Sequence, residues 1–222
     1  MASRRPKWGW RVIIKLRRFL RTGLTCSLFL AGCASTSSIP EDHFYRLASI
    51  EPPERFSVPP IRQPLIVDRI KTYGIYHERA IVYSQKGRPD TLRLHHYRHW
   101  IDKPADLLHD QLVAYLRSLG IADSVNEADG RLHGVKLKLD LKRFERRLSD
   151  DGKVSAEICM QLQAVDEKEG ARLFNKEYSV LRPASDASMT ATLSAFNLGL
   201  ADIYERLAED LLAALSDRAG NI

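Results

Sequence analysis

The chain has 222 residues, with 34 Lys and Arg against 28 Asp and Glu, and its formal net charge is +6. Eight of the cations and none of the acids lie in residues 1–32, so the rest of the chain holds 26 cations against 28 acids. That remainder is nearly neutral, and the basic pI therefore gives no reason to expect nucleic-acid binding. The length is that of one domain with a core of its own.

The first 32 residues have the pattern of a secretory signal peptide. A basic stretch ends at Arg21, and residues 22–32 are uncharged and largely apolar. This apolar segment is too short for a stable membrane span, because eleven residues rise only about 16 Å as a helix, roughly half of a hydrocarbon core. A basic region, a short apolar region and small residues before a cleavage site together predict removal of residues 1–32.

Four residues at the predicted cleavage site resemble the lipobox of bacterial lipoproteins, and all four positions match: Leu30, Ala31, Gly32 and Cys33. The resemblance implies a diacylglyceryl thioether on Cys33, cleavage before it, and acylation of the new amine by a chain such as palmitate. Acyl chains that contribute about 0.8 kcal/mol per buried methylene anchor a protein stably when two or three act together. Ala34 stands where inner-membrane retention often uses Asp, so the same resemblance favours the outer membrane. The alternative is an ordinary secreted protein whose signal peptide contains a Cys.

The segment after the lipobox predicts a tether and then a folded domain. Residues 33–42 are small and polar, and fully extended the nine residues after Cys33 reach about 30 Å, so the body is expected near the membrane surface. The aromatic segment 43–47 predicts a first strand. Residues 51–64 contain five prolines and predict an extended linker without regular structure. We expect residues 43–222 to form a single folded domain.

The middle of the chain predicts three more strands and a helix. Strands are expected at 65–70, 80–83 and 91–97, with turns at 73–76 and 87–90. The helix, 104–119, begins with Pro104, carries Asp106 near its positive end and is ended by Gly120. Its apolar residues follow helical spacing. They are Leu108, Leu112, Tyr115 and Leu119.

A polar loop is predicted at 123–130, and three consecutive strands follow it. Residues 135–141 alternate between apolar and charged side chains, which is the clearest period of two in the sequence. A hairpin turn at 149–152 leads to an alternating return strand at 154–164, and a turn at 167–170 leads to another strand near 174–180. Three antiparallel strands with one apolar face require a cover.

The cover is predicted to be the last helix, 188–215. Its apolar stripe consists of Leu193, Phe196, Leu200, Ile203, Leu207 and Leu211. Gly199 lies within the stripe, costs up to about 1 kcal/mol of helix propensity, and is expected to allow close approach to the sheet. The alternative is that this amphipathic helix binds a partner. The predicted fold class is α+β, a single domain with an antiparallel or mixed β-sheet covered by two main helices, about 104–119 and 188–215.

A histidine-rich stretch at 95–99 raises the question of a metal site. On a regular strand His95 and His99 share a face while His96 points away, so the three do not converge as ligands, and we expect no metal and no cofactor. The Gly-x-Ser-x-Gly, phosphate-loop and HExxH patterns are missing from the sequence, which favours a protein that is not an enzyme. Cys159, in a strand-like run, is expected to be an inert, half-buried thiol.

Several short motifs occur in a fixed order and are followed by the long final helix. They are Phe44-Tyr45-Arg46-Leu47, Leu65-Ile66-Val67, Ile81-Val82-Tyr83-Ser84, and Tyr97-x-x-Trp100 before Leu107, Leu108 and Leu112. In this order they resemble the ABC-type transport auxiliary lipoprotein family, whose members accompany MCE-type lipid transporters. One departure is the segment 99–104, since relatives more often have Ala or an acidic residue after the Trp.

The family resemblance implies a noncatalytic envelope component that works with a permease, an ATPase and an MCE-type substrate-binding subunit. We expect the protein to dock that subunit at the outer membrane, on the periplasmic side. Exposed aromatic residues are common interface anchors, so the expected contacts are Tyr73, Tyr76, Tyr97 and Trp100. Trp100 has an alternative role, which is to pin the helix at 104–119 to the sheet. A self-associated ring would match the tunnel of an MCE-type subunit, although the sequence does not show one.

Two other classes of function stay open at this point. One is an outer-membrane assembly lipoprotein that chaperones or plugs a β-barrel, because that role also needs an anchored α+β domain. The other is a lipid-anchored periplasmic hydrolase. Co-purified subunits would separate the first class from the transport role, and turnover abolished by a single polar substitution would support the second.

Overall fold

The computed structural model describes residues 40–219, apart from 86, 129 and 131. By its contacts the chain divides into two units, Met1–Pro40 and Glu41–Ile222, and every helix and strand of the described residues belongs to the second. The predicted signal peptide and lipobox lie outside the described residues. Within the described range, no helix has both the length and the apolar character needed to cross a membrane.

The second unit has the predicted α+β fold, with a mixed sheet of nine strands and two α-helices among the described residues. In chain order the elements are β1 (His43–Tyr45), β2 (Leu65–Val67), β3 (Lys71–Thr72), β4 (Ala80–Gln85), β5 (Arg88–Trp100), α1 (Pro104–Leu119), β6 (Val125–Glu127), β7 (Val135–Leu148), β8 (Val154–Asp166), β9 (Ala171–Pro183) and α2 (Met189–Ala219). A short 3-10 helix, Gly74–His77, lies between β3 and β4.

Strand β7 organises the sheet, because it pairs along both edges. One edge pairs antiparallel with β8 over its whole length, and β8 pairs antiparallel with β9. The other edge pairs in parallel with β2, β3 and β4 in turn, at Val135, Asp140 and Arg146. The three predicted antiparallel strands are therefore confirmed, and the parallel pairs make the sheet mixed.

A one-residue bulge in β7 exchanges the two faces of the strand. The register with β8 shifts between Leu141 and Arg143, so the residues that face the helices change from odd to even numbers. After the bulge, the Phe144 ring lies 4.4 Å from the Phe196 ring of α2. Arg146 also points towards α2, whereas Glu145 points to the other face. We call the helix-covered side the inner face and the opposite side the outer face.

Strand β5 contains a larger irregularity. Its pairing with β4 joins Ala80 to His99 and Val82 to Leu94, so two steps along β4 correspond to five along β5. At its end, β5 also pairs in parallel with β1, where Phe44 lies opposite His99 and Tyr45 opposite Trp100. The extra residues of β5 decide which of its side chains face inward.

Helix α2 covers the inner face of β8 and β9, as its apolar stripe predicts. Phe196, Leu200, Leu207 and Leu211 are fully buried, and Ile203 is nearly so. A Cβ added to Gly199 would lie 3.0 Å from Ile158 Cδ1 and 3.3 Å from Val180 Cγ1. The expected close approach of the helix to the sheet at Gly199 is therefore confirmed.

The ends of α1 are as the sequence predicts. Pro104 opens the helix and Gly120 closes it in the left-handed region, with φ 68°.

The proline-rich segment 51–64 has no helix or named strand, but it is held against the domain, since the Phe56 amide donates to the Leu119 carbonyl at 2.9 Å. The predicted polar loop at 123–130 is wrong in part, because Val125–Glu127 pairs in parallel with β2 and forms strand β6.

Candidate partner-binding surface

Trp100, expected as a partner contact, lies in the core and is 1% exposed. Its ring lies 5.2 Å from that of Phe144 and 5.6 Å from that of Phe196, so it joins β5 to β7 and α2. Its pairing partner at the end of the sheet, Tyr45 of β1, also packs against the core. The expectation of an exposed Trp100 is therefore wrong, and its aromatic partners lie on β7 and α2 rather than on α1.

Tyr76 belongs to the 3-10 helix and is also buried, on the outer face of the sheet. Its hydroxyl donates to Glu145 Oε2 at 3.0 Å, and the Ser84 hydroxyl donates to Glu145 Oε1 at 3.0 Å. Burial, and then the Glu145 carboxylate, raise the pKa of Tyr76 above its ordinary value. Tyr76 therefore fixes the segment between β3 and β4 to the sheet, and the expectation that it is exposed to a partner is wrong.

The other two expected aromatic contacts are exposed but lie in different places. Tyr73 precedes the 3-10 helix, and its ring lies 5.4 Å from the ammonium group of Lys142 on β7. Tyr97, 45% exposed, lies on β5 two residues before His99. Alternation along a strand places Tyr97 and His99 on the same face, opposite Trp100.

Tyr97 belongs to a surface that brings together three segments of the chain. We call Phe44, Arg79, Tyr97, His99 and Ile101 the docking patch. Phe44 is 56% exposed, and its ring lies 5.6 Å from the His99 ring and 5.5 Å from the Arg79 guanidinium. Arg79 Nη2 also donates to the Ile101 carbonyl at 2.8 Å. The patch is thus aromatic, apolar and cationic, a combination frequent among residues that carry binding energy.

Sequence reasoning found only Tyr97 as a contact in this patch. Phe44 stood out as part of a family motif, and Arg79 and Ile101 carried no signal of their own. The patch depends on parallel pairing between β1 and β5, which brings residues 44 and 99 side by side. If Trp100 had been assigned to the core, strand alternation would have placed residues 97, 99 and 101 together on the opposite, exposed face.

The histidines of β5 lie on opposite faces, which corrects the expectation that His95 and His99 share one. His95 lies on the inner face, its ring 4.5 Å from that of Tyr83, whereas His99 lies on the outer face beside Asp42. The extra residues between them in β5 cause the difference.

Among the described residues no three His, Cys, Asp or Glu side chains come together as a metal site would require. Cys159 is buried, and burial raises the pKa of its thiol.

Comparison with known proteins places the chain in a family. The family model described as ABC-type transport auxiliary lipoprotein component matches residues 45–208. The chain belongs to this family. No curated protein matched the chain in a sequence search.

Two solved structures show the same fold. The crystal structure of protein XCC0632 from Xanthomonas campestris has a TM-score of 0.70 and 19% sequence identity, and the match covers 80% of this chain and 99% of that one. The crystal structure of an uncharacterized protein has a TM-score of 0.60 and 15% identity, and covers 78% of this chain and 99% of that one. The chain therefore has the fold and family of an auxiliary lipoprotein of an ABC transport system.

Proposed function

We propose that this protein is a noncatalytic, lipid-anchored periplasmic component of an MCE-type envelope lipid transport system, and that it docks the MCE-type substrate-binding subunit at the outer membrane. Membership of the ABC-type transport auxiliary lipoprotein family supports the transport role. The permease and ATPase of such a system are then indirect partners. The single observation that carries the docking role is the exposed docking patch on the outer face of the sheet.

The anchor is part of the proposal. Residues 1–32 act as a signal peptide, Cys33 carries the lipid, and residues 33–42 form the tether to the domain. Phe44 follows Cys33 by eleven residues, which span at most about 40 Å when extended. The docking patch therefore stays within about 40 Å of the lipid, and Ala34 favours the outer membrane as the site of anchoring.

Replacement of Cys33 tests the anchor alone. Cys33→Ala should leave an uncut or soluble species, because no other residue supplies the thioether sulfur at the lipobox. Radiolabelled fatty acid on the Cys33→Ala variant would contradict the proposed lipid site. Fractionation of the wild-type protein between inner and outer membranes tests the localisation separately.

The docking patch offers a plausible binding surface because its side chains are large, exposed and already held in place. Arg79 is fixed by hydrogen bonds to the Trp100 and Ile101 carbonyls, so little side-chain freedom is lost on binding. The Phe44 and Tyr97 rings supply apolar area. The mature chain is nearly neutral, so binding through such a patch does not depend on long-range charge attraction.

Photocrosslinking in living cells tests the docking role. A photoreactive amino acid at position 44, 73 or 97 samples the outer face, and one at exposed position 205 of α2 serves as the control. Crosslinks to an MCE-type protein from 44 and 97, and none from 205, are expected. Crosslinks only to a β-barrel protein would contradict the proposal and favour an outer-membrane assembly role.

A further inference from the structure

The inner face of the sheet holds a buried cation, Arg146, that no acidic side chain of the described residues neutralises. Arg146 is 5% exposed, and its guanidinium donates from Nε to Thr192 Oγ1 at 3.2 Å and from Nη2 to the Ala187 carbonyl at 2.7 Å. Both acceptors are neutral. Its neighbours Arg143 and Arg147 each form an ion pair with Glu157, whereas Arg146 has no ion pair with any described residue. A buried charge without an opposite charge is costly, which makes this arrangement unusual.

Two further basic side chains lie near Arg146. Tyr83 of β4 lies opposite Arg146 of β7, and the His95 ring of β5 lies 4.5 Å from the Tyr83 ring. Arg98 is half-buried and precedes the inward-facing Trp100 by two residues on β5, so it lies on the same inner face. Its charge lowers the pKa of both His95 and Arg146. We call His95, Arg98 and Arg146 the cationic cluster.

His95 is neutral at ordinary pH and has an unused ring atom. Burial, and then the charges of Arg98, Arg146 and His96, lower the pKa of His95 to about 4. Its Nε2 atom is buried and has no hydrogen-bond partner among the described residues. The cluster thus holds two guanidinium groups and one imidazole whose nitrogen is available.

Among residues 40–219 that the structure describes, no acid forms an ion pair with Arg146. The first turn of α2 contains no Asp or Glu, and the buried Thr192 of that helix accepts from Arg146. Asp186, the nearest acid before α2 in sequence, is exposed and accepts from the Ser188 amide at 2.7 Å. Within the described part of the chain, the cluster therefore lacks an anionic partner.

We propose that His95, Arg98 and Arg146 bind a phosphate group, carried either by inorganic phosphate or by a phospholipid headgroup. Guanidinium groups suit phosphate because two parallel N–H groups match two phosphate oxygens. Arg98 provides such a fork, Arg146 provides a buried charge, and the His95 nitrogen donates to a third oxygen. The site lies on the inner face, whereas the docking patch lies on the outer face, so this binding role goes beyond the docking role.

The test is a titration of the full-length chain in nonionic detergent micelles, in one arm with inorganic phosphate and in the other with dihexanoyl phosphatidylglycerol. NMR of the His95 ring gives the readout, because a bound anion beside the imidazole favours the protonated form and raises its pKa from about 4. Arg98→Gln should weaken binding by about tenfold, the usual loss for one charged hydrogen bond. Arg172→Gln, an exposed change of equal charge on β9, is the matched control and should bind as the wild type does.

Each outcome decides the proposal. Binding of inorganic phosphate alone identifies a site for the free anion. Binding of the lipid, with or without binding of inorganic phosphate, identifies a headgroup site. No binding in both arms, or undiminished binding by folded Arg98→Gln protein, would overturn the proposal. The titration contains no transporter subunit, so its result is independent of the crosslinking test of docking.

Discussion

The inner and outer faces of the sheet are covered in different ways. Helices α1 and α2 close the inner face, where Trp100, Phe144 and Phe196 form an aromatic cluster with ring centroids 4.4 to 5.6 Å apart. On the outer face, Phe44, Tyr97 and Ile101 stay exposed beside β1 and β5. Two aromatic residues of one strand, Tyr97 and Trp100, thus differ, because one is exposed and the other is in the core. An aromatic residue of a strand can therefore be assigned to the core or to the surface only when it is known which face of the sheet its side chain is on.

A charge placed on the inner face should have the largest effect. Leu200→Asp puts a carboxylate into a fully buried site without a partner, which costs several kcal/mol against a total stability of about 5–15 kcal/mol. We expect the domain to unfold, with loss of the near-UV circular dichroism signal. Leu198→Asp, two residues away and 53% exposed, is the matched control and should stay folded. A folded Leu200→Asp variant would show that the stripe is not buried against the sheet.

Acid should weaken the inner face through His95. Its folded-state pKa of about 4 lies below the ordinary 6.5, so the folded state binds fewer protons than the unfolded state between these values. The stability gained from a neutral His95 is therefore complete above pH 6.5 and is lost as the pH falls through 4, by about 3 kcal/mol at most.

Denaturant unfolding at pH 7 and pH 4 measures that contribution. His95→Gln should lose less stability than the wild type between the two pH values, because the glutamine does not titrate. His133→Gln, a change at an exposed histidine, should follow the wild type. Equal losses for His95→Gln and wild type would mean that His95 is not held neutral on the inner face.

A larger side chain at the closest helix–sheet contact should have a moderate effect. Gly199→Leu would place atoms where Ile158 Cδ1 and Val180 Cγ1 already lie within about 3 Å of the Cβ position. Overpacking costs about 1–3 kcal/mol and the gain in helix propensity returns up to about 1 kcal/mol, so we expect a net loss of about 1–2 kcal/mol. Glu205→Leu at an exposed position of the same helix is the control. A Gly199→Leu variant more stable than the wild type would contradict the close packing of α2.

The parts of the fold that follow from local periodicity could be predicted from the sequence. The alternation in 135–141 and 154–164 and the stripe on the last helix give β7, β8 and α2, because one face of each element must be buried. Gly120 and Pro104 mark the ends of α1 for local steric reasons. These features depend on neighbours within one element.

The parts that depend on pairing between distant segments could not be predicted. Strand β6 has only one buried apolar residue, Val125, and exists because β2 lies beside it. The extra residues in β5 reverse the faces of His95 and His99, and the bulge in β7 sends Arg146 inward and Glu145 outward. A shift of one residue exchanges the faces of a strand, so period alone could not find the docking patch or the cationic cluster.

The outer face should tolerate substitution with little loss of stability while losing its partner. Phe44→Ser combined with Tyr97→Ser removes two exposed rings, and we expect a change within about 0.5 kcal/mol, as is usual at surface sites. The most direct measurement is co-purification of the MCE-type subunit with the anchored protein, for the wild type, this double variant and Leu198→Ser, which removes an exposed apolar side chain from α2. The account predicts that the wild type and Leu198→Ser retain the subunit and that the folded double variant loses it. Retention by the double variant at the wild-type level would contradict the claim that the outer face carries the contact.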